Sequence, residues 1–169
     1  MSCLTATILG AASEAPIWTS KVGAIAAGVT ATVALLALLG TVRQLRQTRA
    51  HHYLQRYDEP QLLPYIVKTH AVIKDDGTVS TRIAKWDKMS FAEQLDVLLF
   101  LNFWEELASM YNRKLVDRKI VAEWFGDAAI AYWQMAEWLV LHQRKELPED
   151  GIYSEWETMC AHIKRRRAA

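Results

Sequence analysis

The sequence predicts an all-α protein in which one N-terminal transmembrane helix continues into a cytoplasmic antiparallel helical bundle. Three observations carry that prediction. Val22 to Val42 contains no ionisable side chain. Later apolar residues recur at three- and four-residue spacing, with no convincing alternation of the kind a strand requires. The helix-opening patterns "SFAE" at Ser90 and "SEWE" at Ser154 introduce two of the apolar stretches.

As a helix, Val22 to Val42 would rise about 31 Å, close to the hydrocarbon thickness of a bilayer. Thr30, Thr32 and Thr41 can return their hydroxyl bonds to the preceding turn, so no polar group is stranded in lipid. A cleaved signal would have a basic leader, a shorter apolar core and a small-residue cleavage site. Here the leader carries only Glu14 before Lys21, and the run leaves through "LLGTVRQLRQ". A core helix of a soluble protein rarely lacks a polar face over so many turns. Lys21 alone flanks the front of the run, whereas Arg43, Arg46, Arg49 and Arg56 follow it. The positive-inside rule then puts the N-terminus outside and the C-terminal body in the cytoplasm. Arg43, Arg46 and Arg49 share one side of the emerging helix, where they are expected to meet lipid headgroups. Ala24, Gly28 and Ala31 approach the spacing of a helix–helix contact face, or are plain lipid-facing filler. The expected organisation is a leader over 1–21, a transmembrane helix over 22–42, a stalk and second helix over 43–74, and core helices over 90–167.

No breaker occurs between the apolar run and Pro60, so the first helix is expected to continue as a stalk. A second helix follows, with Asp58 or Glu59 as cap and Pro60 in its first turn, and Pro64 is expected to kink or delay it. "DDGT", Asp75 to Thr78, is a turn. Val79 to Met89 shows no clean period and reads as a connection with room for a short helix. Ser90 and Glu93 then form a capping box. "VLLFLNFW", Val97 to Trp104, is apolar on every side except at Asn102, which predicts a central helix covered by several neighbours. Asp96 and the pair Glu105–Glu106 make its apolar part too short for a second span.

Leu115 to Glu146 reads as one helix capped by Asp117. Its expected packed face is Val121, Trp124, Ala128, Ala131, Met135 and Trp138, and its wet face Glu123, Asp127, Gln134, Glu137 and Arg144. Gly126 allows a bend or a close helix crossing. Leu147 to Gly151 is a turn, and the last helix should bury Trp156, Met159, Cys160 and Ile163.

Net charge is +1 over 169 residues, but four of the 20 basic residues and one of the 19 acidic ones precede Ala50. The rest of the chain therefore lies two charges to the acidic side, and nucleic acid is not an expected partner. Lys164 to Arg167 is a basic helix end, expected first to be solvated, then to touch the inner leaflet, and last to form a nucleic-acid patch. Cys3 and Cys160 would lie on opposite sides of the membrane, and Cys160 reads as a small buried hydrophobe. No glycine-rich phosphate loop follows a strand. The histidines at 51, 52, 70, 142 and 162 lack metal-ligand helix spacing. No cofactor, metal, catalytic residue or small-molecule substrate is expected. What remains is "NFWEE": Asn102, Glu105 and Glu106 on the most apolar helix form either a polar pocket that binds a ligand or a network closed by Trp, Tyr or Arg donors from other helices.

"YLQRYDEP", "LNFWEELASMYNRKLVD" and "WFGDAAIAYW" together resemble an uncharacterised bacterial and phage family, domain of unknown function four-seven-six-zero. The resemblance spans most of Val22 to Leu139 and is carried chiefly by Asn-Phe-Trp-Glu-Glu. It implies a membrane-anchored helical architecture with no assigned activity and no catalytic residues, and a place in phage or stress response by association. Pro64 departs from the family's helix pattern. The function expected is a single-pass inner-membrane protein whose partners are the bilayer and either an unknown protein or a second copy of itself. The alternative is a membrane-perturbing effector acting through its anchor helix.

Overall fold

In a computed structural model of the protein, residues 17–147 and 151–168 are described, with side chains from Ile25 onward. The expected leader lies almost wholly outside these residues, as do Cys3 and most of the turn after Leu147. Among the described residues there are seven helices and no strand. The chain divides into two compact units, 1–41 and 42–169.

The first unit contains the apolar part of α1 (Ile17–Asp58). Its side chains from Ile25 to Thr41 are exposed throughout, and by length and composition this helix is long and apolar enough to cross a membrane. Thr30, Thr32 and Thr41 donate their hydroxyls to the carbonyls of Ala26, Gly28 and Ala37, each at 2.9 Å. Polar side chains in this stretch are thus satisfied within the helix, as a non-aqueous medium requires.

The second unit is the bundle. It takes in the end of α1 and then α2 (Leu63–Ile73), α3 (Val79–Trp86), α4 (Phe91–Asn112), α5 (Arg118–Trp124), α6 (Gly126–Glu146) and α7 (Ser154–Ala168). Pro64, not Pro60, occupies the first turn of α2, and no side chain caps that helix. Proline has no amide to donate and a φ already suited to the first turn, so Pro64 delays the helix rather than kinking it. The Val79–Met89 connection contains α3, started by Thr78, whose hydroxyl accepts the Thr81 amide. Ser90 and Glu93 form the reciprocal capping box that opens α4.

α4 is the centre. Val97, Phe100, Leu101, Phe103, Trp104, Leu107, Ala108 and Tyr111 are all buried. Trp104 lies within 6.0 Å, ring centre to ring centre, of Tyr57, Phe100, Phe103, Phe125, Tyr132 and Trp156. α6 returns along α4, since Leu98 and Gln143 line one cleft while Trp104 meets Phe125. α7 reverses again along α6: Arg144 donates to the Ile152 carbonyl, Trp156 to the Ala129 carbonyl, and Ile163 lies beside Gly126.

The single helix expected from Leu115 to Glu146 is two helices. Asp117 caps α5 through the Lys119 and Ile120 amides, and the chain breaks at Phe125 before α6 begins. The expected packed face is met in part: Val121 and Trp138 are buried, and Ala128 and Met135 half-buried. Trp124 is 68% exposed and Ala131 is also exposed, while Ala129, Trp133, Ala136, Leu139 and Val140 are buried. A Cβ at Gly126 would stand 2.9 Å from the Arg167 guanidinium and 3.3 Å from the Ile163 side chain. The glycine therefore permits a close α6–α7 crossing. Trp156, Met159, Cys160 and Ile163 form the buried stripe of α7, as expected.

Candidate functional site

Asn102, Glu105 and Glu106 occupy one turn of α4, but they do not form one pocket. Asn102, expected to interrupt a buried surface, is exposed. The reason is geometric: α4 is covered by neighbours on most of its circumference, and Asn102 falls on the arc left open beside the start of α7. Its side-chain carbonyl accepts the Tyr153 hydroxyl at 3.1 Å.

Glu105 is half-buried, and its two oxygens accept the backbone amides of Glu155 (3.1 Å) and Trp156 (2.8 Å). Those are the second and third residues of α7, whose amides have no partner within their own helix. Tyr153, just before α7, has a left-handed φ of 57° and no side chain suited to capping. Glu105 therefore performs from across the bundle the function that a local Ser or Asp usually performs. Burial pushes its carboxyl above the ordinary glutamate range, and the two amides pull it partly back.

Glu106 points elsewhere. It accepts the Tyr53 hydroxyl at 2.9 Å and the Arg56 guanidinium at 2.7 Å, both on α1. Tyr53 and Arg56 are three apart and so share a face of α1. Burial first, then the Glu106 bond, raises the Tyr53 phenol well above its usual range. The cluster is thus two fastenings back to back: Asn102 and Glu105 hold the start of α7, and Glu106 holds α1. Tyr and Arg are among the donor types expected here, but nothing local marks Tyr53, Arg56 or Tyr153 as partners some fifty positions away.

Cys160 is buried with its thiol against the Ala129 carbonyl at 3.5 Å. Burial pushes it up to about 12, so little thiolate forms at neutral pH. His162 meets the Tyr111 hydroxyl at 2.7 Å, and His142 meets Asp87 at 3.2 Å. Among the described residues, no three His, Cys, Asp or Glu side chains gather in a metal-ligand arrangement. The clefts are open and superficial. One of about 470 Å³ is lined by Asn102, Glu105 and Tyr153. Another, of about 370 Å³, lies where the Arg82 guanidinium stacks 5.4 Å from the Trp138 ring. Of the basic residues expected at lipid, Arg43 and Arg46 are exposed and Arg49 is half-buried.

A family model described as domain of unknown function (DUF4760) matches residues 24–163. The chain belongs to the DUF4760 family. The match runs from the exposed apolar part of α1 to Ile163, the last buried residue of α7, so the family's pattern takes in both compact units. No curated protein and no solved structure matches the chain.

Proposed function

We propose that this DUF4760 protein is a single-pass anchor at a bacterial inner membrane whose cytoplasmic helical bundle associates with another protein or with a second copy, and that it carries out no reaction. The observation that supports this most is the exposed apolar stretch of α1, which satisfies its own hydroxyls and has no polar face toward water. Left in water, so much apolar surface would aggregate, and a bilayer is the medium that removes the cost. The distribution of Lys and Arg around the stretch supports the bundle-inside orientation.

The association half of the reading rests on α4. Phe91, Leu95 and Leu99 follow one another at four-residue spacing and are 77%, 41% and 44% exposed. Three large apolar side chains in one row are a surface that a partner helix could cover. The polar turn supports the absence of a reaction, because Asn102, Glu105 and Glu106 are all engaged in holding helices together.

A reporter active only in the cytoplasm, fused after Ala169, should be active, and activity of a periplasmic reporter in its place would overturn the orientation. Cross-linking of the full chain in membranes should give a discrete adduct that Leu95→Glu abolishes without lowering the melting temperature. Vesicles reconstituted with the protein should retain an encapsulated dye. Rapid leakage would replace this reading with a membrane-perturbing effector.

A further inference from the structure

The bundle gathers at one end basic residues that are far apart in sequence. The Asp117 amide donates to the Arg46 carbonyl at 3.1 Å, which docks the α4–α5 turn on α1 just past the apolar stretch. Arg118, the next residue, donates to the Tyr111 and Asn112 carbonyls at the end of α4. Tyr111 meets His162, whose imidazole is held below its ordinary range by burial first and then by Arg118, Arg166 and Arg165. The last turn of α7 is therefore at the same end as Arg46. Among the described residues, none of Arg46, Arg49, Arg113, Lys114, Arg165 and Arg166 has a carboxylate within ion-pair distance. A bundle whose 19 basic and 18 acidic residues nearly balance thus presents a set of unneutralised cations at one end.

The turn between α4 and α5 adds a second, independent observation. The Lys114 amide donates to the Tyr111 carbonyl and the Leu115 amide to the Met110 carbonyl, a Schellman closure. The position that closure reserves for glycine is held by Lys114, with φ at 58°. An L side chain there is unfavourable, and glycine would relieve it. Macrodipole complementarity accounts for cations at the end of α7, but it does not explain a lysine in the left-handed position. The following Leu115 is 38% exposed between these charges, while its neighbour Val116 is buried.

From this geometry we infer that the α4–α5 turn and the end of α7 form, with Arg46 and Arg49, a cationic collar that binds the phosphodiester headgroups of anionic lipid, with Leu115 entering the interface. The inference rests on the anchor reading, because Arg46 and Arg49 follow within seven residues of Val42, where that reading ends the membrane span. Continuity with an apolar helix selects lipid over nucleic acid. Basic groups near an anionic leaflet each add to binding and lose that contribution with salt, and a leucine among them adds apolar contact.

The test uses the full chain in nanodiscs of phosphatidylcholine alone or with 30 mol% phosphatidylglycerol, with amide exchange read over residues 110–118 and 161–168. Phosphatidylglycerol should slow exchange in both segments at least about fivefold, and roughly 0.5 M salt should reverse much of the effect. Arg113→Gln/Lys114→Gln/Arg165→Gln/Arg166→Gln should abolish the slowing while exchange in central α4 stays unchanged. Equal exchange in both lipids would overturn the collar, as would slowing by soluble glycerophosphoglycerol alone or stronger protection by a DNA duplex. A chain extracted from membranes by alkaline carbonate would instead fail the anchor reading, so the two failures are distinguishable.

Discussion

Two helices of this chain are rich in apolar residues, and they end in opposite surroundings. The first stretch of α1 is exposed on every side, whereas α4 is covered on most of its circumference by the aromatic cluster around Trp104. Of the two, only α1 is long and apolar enough to cross a membrane. The difference lies in the interruptions. In α1 the polar residues are threonines that bond within their own helix, so the stretch neither needs nor provides a polar partner. In α4, Asn102, Glu105 and Glu106 reach out to donors on other helices, and each bond fixes a neighbour. A polar group that satisfies itself leaves a helix indifferent to its surroundings, while one that cannot do so determines what packs beside it.

The comparison breaks most visibly at Trp104. Trp104→Ala should cost about 3–5 kcal/mol, since six rings lose their common contact. Leu36→Ala in the exposed stretch of α1 should leave bundle stability unchanged. Denaturant unfolding of the detergent-solubilised chain, followed by near-ultraviolet circular dichroism, compares the two, and a Trp104→Ala loss below about 1 kcal/mol would contradict the central role of α4.

Next in size is the division between adjacent glutamates. Glu105→Ala leaves two amides of α7 without a partner and should cost roughly 1–3 kcal/mol. Glu106→Ala should cost less than about 1 kcal/mol, because its ion pair with Arg56 is half-exposed. Equal losses would mean that the inter-helix cap does not hold the end of α7.

Glu105 also has a pH signature. Its folded carboxyl is raised above its ordinary 4.5, so the folded chain favours the protonated form more than the unfolded chain does. That contribution is fully present below the ordinary value and is lost as pH rises through the raised one. Stability measured upward from pH 4.5 should therefore fall more steeply in the native chain than in Glu105→Gln, and parallel profiles would remove the desolvation argument.

The smallest effect has the opposite sign. Lys114→Gly should stabilise the bundle by roughly 0.5–1 kcal/mol by relieving the left-handed position, while lowering the lipid-dependent protection of the α4–α5 turn. A destabilised variant would show that Lys114 holds the turn through contacts of its own.

Much of what is decided locally could be read from the sequence, although the start of α2 at Pro64 rather than Pro60 was not. The Ser90–Glu93 capping box, the Asp117 cap and the buried stripe of α7 depend on residues within one or two turns. Of the break at Phe125, only the bend that Gly126 allows could be read, since Trp124 and Phe125 are apolar in a continuous or a divided helix alike. For the site, the residue types and the turn were visible, but the direction of each side chain was not. Asn102 looked buried because its neighbours in sequence are apolar, and Glu105 and Glu106 looked like companions because they are adjacent.

The partners of the polar turn stand at similar removes on both sides: Tyr53 is 53 positions before Glu106, and Trp156 is 51 positions after Glu105. On a ribosome adding about 5–20 residues each second, α4 would wait roughly 3–10 s between its own emergence and that of α7. During that interval α1 can already be fastened to Glu106, while Trp104 still lacks Trp156 and Glu105 has no amides to cap. The nascent chain thus has a timed vulnerability, an aromatic flank open for seconds, and it closes only when the last helix arrives.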